Sequence, residues 1–145
     1  KSINVRKFYD SAINHYVVMS DPMRLKQVML NIISNAVKFT KFGEVEITAA
    51  LKQDEEAIGE NQKRVQVVLQ VRDTGIGLKD EEVAMINSEK ETALSVNIEH
   101  EYNKMGTGLG INICKSILGK LNHKLFVESK YNEGSCFSVQ IFSIS

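Results

Sequence analysis

The stretch Asp21-Pro22-Met23-Arg24-Leu25-Lys26-Gln27-Val28-Met29-Leu30-Asn31-Ile32-Ile33-Ser34-Asn35-Ala36-Val37-Lys38-Phe39-Thr40 says more about the fold than any other part of this 145-residue chain. Asp21 is a good N-cap, and Pro22 is tolerated at the first helical position because its missing N–H would have no helical partner there. Leu25, Val28, Met29, Ile32, Ile33, Ala36 and Val37 then recur in steps of three and one, a clean apolar stripe. Gly43 stands where such a helix is expected to stop. Beside the stripe, Gln27, Asn31, Asn35 and Lys38 step by four, four and three, so they line one edge of the same helix. Asparagine is a poor helix former, so propensity does not explain two of them one turn apart. They could form a solvated polar edge. They could equally hold a hard cation through amide oxygens, with the lysine on a phosphate.

Outward from this helix the chain alternates between strand and helix patterns. Before it, Ile3 and Val5 alternate as a short strand, Phe8, Tyr9, Ala12 and Ile13 have helical spacing, and residues 17–19 look extended. After it, Glu44–Leu51 alternates as a strand, with Val45, Ile47, Ala49 and Leu51 on one face. Lys52–Arg64 is polar and reads as a long hairpin connection, and Val65–Val71 alternates as a second strand. Asp80–Ile86 suits a short helix, Asn87–Lys104 a mobile loop, and Ile111–Leu121 a further helix. Leu125–Ser129 and Cys136–Ile144 read as strands joined by a turn at Asn132-Glu133-Gly134. Runs of strands beside separate helices predict an α+β fold, a mixed sheet with helices on one face in two layers.

Composition narrows the class. Eighteen Lys and Arg balance eighteen Asp and Glu, which argues against a dedicated nucleic-acid binder. No apolar run is long enough to span a bilayer as a helix. Cys114 and Cys136 are far apart and lack zinc-ligand spacing, so free buried thiols in a reducing, cytoplasmic setting are expected.

Two further segments look chemical. Val65, Val67, Leu69, Val71 and Asp73 share parity, so Asp73 points to the apolar face, where a lone carboxylate is costly without hydrogen-bond donors. Asp73-Thr74-Gly75-Ile76-Gly77 then offers a tight turn that a ligand can approach closely, although an Asp capping its own turn also fits. Gly106-Thr107-Gly108-Leu109-Gly110 runs into the helix at Ile111, and glycine backbone ahead of a helix N-terminus can cradle phosphate. It is neither a Walker A loop nor a dinucleotide fingerprint, because the spacing differs and no strand leads into it.

Together and in this order, the three segments resemble the N, G1 and G2 boxes of the ATP-binding catalytic domain of sensor histidine kinases, hybrid kinases in particular. The resemblance covers nearly the whole chain and implies one domain over residues 1–145, excised from a larger kinase, with the Bergerat-type fold. The wider superfamily includes gyrase, heat-shock chaperone and mismatch-repair ATPases. It usually has a glutamate base where Asn31 stands here, so Asn31 favours phosphoryl transfer to a protein over hydrolysis.

The implied ligands are ATP and Mg²⁺. Asp73 would bind the adenine amino group, and Gly75 and Gly77 would shape its pocket. Asn31 and Asn35 would hold Mg²⁺, Lys38 would meet phosphate, and Phe39 would flank the nucleotide. Gly106, Thr107, Gly108, Leu109 and Gly110 would cradle the phosphates, with residues 87–104 as a lid. Asn31, Asn35 and Lys38 form the implied catalytic set.

Some features depart from the family pattern. No phenylalanine lies between Gly77 and Gly106, where the family's lid usually has them. Cys136 takes the place of a threonine, which implies a lost hydroxyl near adenine. None of His15, His100 or His123 sits in an acceptor motif, and His15 and His123 read as surface residues. The implied partners are a histidine-bearing dimerisation domain and a response-regulator receiver domain, and the isolated domain is expected to be monomeric. A degenerate nucleotide-binding or docking module is the competing reading.

Overall fold

The computed structural model describes residues 2–88 and 110–144, the side chains of residues 53–58, 63 and 144 excepted. Five strands, β1 (Ser2–Tyr9), β2 (Phe42–Gly59), β3 (Gln62–Asp73), β4 (Lys124–Lys130) and β5 (Gly134–Ile144), form one sheet in the order β1-β2-β3-β5-β4. β1 runs parallel to β2, and every other pairing is antiparallel. Helices α1 (Pro22–Phe39), α2 (Asp80–Asn87) and α3 (Ile111–Lys120) cover one face. This is the α+β architecture that the patterning predicts.

α1 begins as its sequence dictates. The Asp21 carboxylate accepts from the Arg24 N–H at 3.1 Å, and Pro22 opens the first turn. Its stripe buries Val28, Ile32, Ala36 and Phe39 against Val65, Val67 and Val71 of β3 and Val139 and Ile141 of β5. Burying side chains of this size is worth about 1.5–3 kcal/mol each. α3 ends in a Schellman turn: Asn122 takes φ 59°, and the His123 N–H reaches the Leu118 carbonyl at 2.8 Å.

The structure corrects four expectations. Phe8 and Tyr9 are not helical; β1 pairs with β2 through Tyr9↔Ala49, and only Ser11–His15 turn into a 3₁₀ helix. Helical spacing there loses to a continuous parallel ladder. Lys52–Arg64 is not a connection. Both strands continue through it to a two-residue turn at Glu60-Asn61, with register irregularities between Gln53 and Gly59. The polar composition of the stretch hides its strand pairing. Gly43 does not stop α1, which ends at Phe39 with Thr40 as C-cap. Gly43 instead starts β2 at φ +123°, where a Cβ would lie 2.1 Å from Thr74 Oγ1.

His123 is the fourth correction, for it is 5% exposed rather than on the surface. Its Nδ1 accepts from the Phe142 N–H at 3.2 Å, and its Nε2 lies 2.8 Å from Ser20 Oγ. Burial lowers its pKa below the usual imidazole value, and its two bonds tie the approach to α1 onto β5. His15 is exposed, and His100 lies outside the described residues. Both cysteines are free and buried. Among the described residues no helix is long and apolar enough to cross a membrane.

Asn87, at the end of α2, treats β4 as a strand would. Its Nδ2 donates to the Val127 carbonyl at 2.9 Å, and its Oδ1 accepts from the Val127 N–H at 2.8 Å. Asn87→Ala removes both bonds and is expected to cost about 2 kcal/mol, lowering the melting temperature by several degrees. An unchanged melting temperature would show that water replaces the amide without loss.

Candidate functional site

The three chemical segments meet at the ends of their elements. Asp73 ends β3, 6% exposed, on the helix-covered face as its parity predicts. Its Oδ1 accepts from the Gly75 N–H at 2.9 Å. Burial raises its pKa above the usual carboxylate value, and the Gly75 and Ser135 backbone N–H groups oppose that shift. The Asp caps its own turn, and it is also a buried carboxylate at the site.

The turn that follows is held by backbone from three sides. Ile76 N–H donates to the Phe39 carbonyl at 3.2 Å, joining the turn to the last turn of α1. Thr74 exchanges bonds with Glu44, its N–H giving to the Glu44 carbonyl and its Oγ1 accepting from the Glu44 N–H. The Ile76 carbonyl accepts from Asn132 N–H at 2.6 Å, and the Leu78 N–H gives to Ser129 Oγ at 2.7 Å. The glycines permit this closeness. A Cβ on Gly75 would lie 2.4 Å from the Phe39 carbonyl oxygen, and one on Gly77, at φ +68°, 2.2 Å from that of Lys130.

On α1, Asn31, Asn35 and Lys38 are half-buried along one edge, while Gln27 is exposed. Phe39 is 4% exposed, its side chain in the core, so it meets the turn through its carbonyl oxygen. Asn31 Nδ2 donates to Cys114 Sγ on α3 at 3.3 Å. A groove of about 370 Å³ runs between the two helices, lined by Gln27, Asn31, Ser34, Ile113 and Cys114 among others. Gly110 is the N-cap of α3 and supplies no side-chain cap, so the helix presents backbone N–H groups where the glycine-rich segment enters. Gly106, Thr107, Gly108, Leu109 and residues 89–104 of the expected lid lie outside the described residues. Among the described residues, no three His, Cys, Asp or Glu side chains cluster as metal ligands.

One implied residue is misplaced and another was missed. Asp73 pairs with Ser135, and Arg72 with Cys136. Alternation therefore puts Ser135 on the carboxylate's face and Cys136 on the opposite one, so Cys136 removes no hydroxyl from beside Asp73. Ser135 is 5% exposed, and its Oγ lies 2.8 Å from Ser129 Oγ. Counting parity back from the strand pairing of Asp73 was the signal that could have found it.

A helix with an amide edge, a buried carboxylate ending a central strand and a glycine-capped second helix define an ATPase-type catalytic domain. The family model for histidine kinase-, DNA gyrase B-, and HSP90-like ATPases matches residues 20–143, and the chain belongs to this family. Its relatives are sensor kinases. It is 34% identical over 125 residues to the autoinducer 2 sensor kinase/phosphatase LuxQ of Vibrio cholerae, covering 86% of this chain and 13% of LuxQ. It is 31% identical over 139 residues to hybrid signal transduction histidine kinase L of Dictyostelium discoideum, covering 95% of this chain and 8% of that protein. The chain thus spans only a small part of these relatives. The crystal structure of full-length ShkA in complex with AMPPNP superposes with a TM-score of 0.68 at 26% identity, covering 99% of this chain and 26% of that one.

Because burial raises the Asp73 pKa, folding favours its protonated form. Its contribution to stability is therefore full at low pH and falls as pH rises from the ordinary carboxylate value through the raised one. In nucleotide-free protein, Asp73→Asn is expected to melt no lower than wild type at pH 8, since the amide oxygen still accepts from Gly75. The advantage of the variant should grow between pH 4 and pH 8. Melting curves in which it shrinks would show that the backbone donors outweigh burial.

Proposed function

We propose that this domain binds ATP with Mg²⁺ and donates the γ-phosphoryl group to a histidine on a separate dimerisation domain of a two-component sensor kinase. The observation that carries this reading is the buried Asp73 carboxylate, held in a turn whose backbone bonds directly to the end of the Asn31–Lys38 helix. Asp73 accepts the adenine amino N–H, which repays the cost of burying its charge. Gly75 and Gly77 leave the backbone free of side chains beside the base. The Asn31 and Asn35 amides suit a hard cation that keeps part of its water shell. Bound Mg²⁺ would neutralise triphosphate charge.

Lys38 adds a point charge for phosphate. Gly110 and the α3 N-terminus continue the cradle of Gly106, Thr107, Gly108 and Leu109. The Phe39 side chain supports the turn from the core rather than flanking the nucleotide. Positioning and charge neutralisation are most of what phosphoryl transfer needs. The acceptor ring nitrogen gains the P–N bond, the bond to the ADP oxygen breaks, and the ring proton is released. A receiver domain takes the phosphoryl group next, and the domain works as a monomeric unit of a longer kinase on the cytoplasmic side. That ShkA was crystallised with a nucleotide analogue supports the reading.

Two experiments test it. Asp73→Asn is expected to weaken ADP and ATP alike by about tenfold or more, the worth of a hydrogen bond to a charged group; calorimetry giving wild-type ADP affinity would sink the adenine assignment. With radiolabelled ATP, this chain alone should stay unlabelled, since the positioning advantage of a held acceptor is missing. Adding the histidine-bearing helical domain in trans should give slow, acid-labile labelling of that domain. Absence of label despite measured ATP binding would favour the degenerate module, to which the phenylalanine-free stretch between Gly77 and Gly106 also points.

A further inference from the structure

We propose that Cys114 is a positioning residue of the nucleotide site: by accepting the Asn31 Nδ2–H, its sulfur sets which end of that amide faces the cation and phosphates. The inference rests on the function proposed above and adds a residue to it. An asparagine amide is nearly symmetric in shape, and a half-turn about its last bond exchanges a donor for an acceptor. A cation edge works only with the oxygen presented. Something must therefore hold the nitrogen elsewhere, and Cys114 Sγ does so at 3.3 Å.

The surroundings suit that task. Cys114 is 2% exposed, in the first turn of α3, four residues after Gly110. Its sulfur is held by α3 packing against α1, through Ile117 and Leu118 on one side and Val28 and Ile32 on the other. It is a fixed acceptor between α1, which carries Asn31, and α3. One bond thus ties the orientation of the amide to the packing of α3 on α1. Valine is close to cysteine in size but offers no hydrogen bond, whereas serine offers a stronger one.

Calorimetry on the whole chain separates the outcomes. Mg²⁺-free ADP affinity and the gain in AMP-PNP affinity on adding Mg²⁺ would be measured for wild type, Cys114→Val, Cys114→Ser and Asn31→Ala. Cys114→Val should leave ADP affinity unchanged and cut the Mg²⁺-dependent gain by about two- to tenfold, the range of one hydrogen bond. Cys114→Ser should restore it to within about twofold, as a hydrogen-bond role requires and a packing role does not. In nitrogen-15 spectra the Asn31 side-chain NH₂ pair should move in Cys114→Val and respond less to Mg²⁺ and AMP-PNP. Should the valine variant fail to fold, Cys114→Ala carries the same expectations. The proposal is overturned if Asn31→Ala abolishes the Mg²⁺-dependent gain while Cys114→Val keeps it and leaves the Asn31 resonances in place. A wild-type chain without such a gain, or an Asn31→Ala variant that retains it, instead overturns the cation assignment beneath the proposal, and the proposal falls with it.

Discussion

The bond from the Ile76 N–H to the Phe39 carbonyl is the constraint on which the site depends. It is an ordinary hydrogen bond of 3.2 Å, worth about 1 kcal/mol net. Its importance is geometric, because it joins the last turn of the first helix to the turn after the central strand with no side chain between them. A longer link would let the two drift apart. Gly75 and Gly77 make the closeness possible, and Gly134, at φ +129°, does the same from the hairpin side, where a Cβ would lie 2.1 Å from the Asp73 carbonyl oxygen. Three glycines therefore press three backbones around one carboxylate.

Helix α1 carries two adjacent strips of different character on its surface. Val28, Ile32, Ala36 and Phe39 face the sheet and account for its stability, while Asn31, Asn35 and Lys38 stand at the margin, half-buried. At that depth an amide is shielded enough for its interactions to count and open enough for a ligand to reach. Asp73 shows the same compromise more sharply. Its burial raises its pKa, and the backbone N–H groups of Gly75 and Ser135 oppose that shift.

Much of this is legible in the sequence. Apolar periodicity located α1 and α3, the alternation of Val65–Val71 located β3, and its parity placed Asp73 inside. What escaped notice has physical reasons. The Lys52–Arg64 stretch is polar and lacks apolar alternation, so its backbone pairing leaves no periodicity to find. Gly43 resembles a helix stop because the positive φ that suits such a stop also serves a strand beginning against Thr74. His123 looked exposed because polarity was its only local cue, whereas Ser20 and the Phe142 N–H, both remote in sequence, draw it inside. The hydroxyl implied to be lost at Cys136 rests on a motif position, which says nothing about pleat, whereas the Arg72↔Cys136 pairing puts that residue on the face opposite Asp73. The Asn31–Cys114 bond spans 83 positions and has no signature in either segment.

Asn87 gives the fold a chemical lifetime. Its side chain imitates a neighbouring strand only because one end of an amide gives and the other accepts, matched to the N–H and carbonyl of Val127 on the sheet's edge. Deamidation, to which asparagine is prone with heat and age, would replace the donor with a second oxygen opposite a carbonyl 2.9 Å away. In the aspartate product, attraction would become repulsion. The edge of β4 would lose its plug, and its exposed backbone could recruit another strand. Old or heat-stressed protein would then begin to associate through this edge.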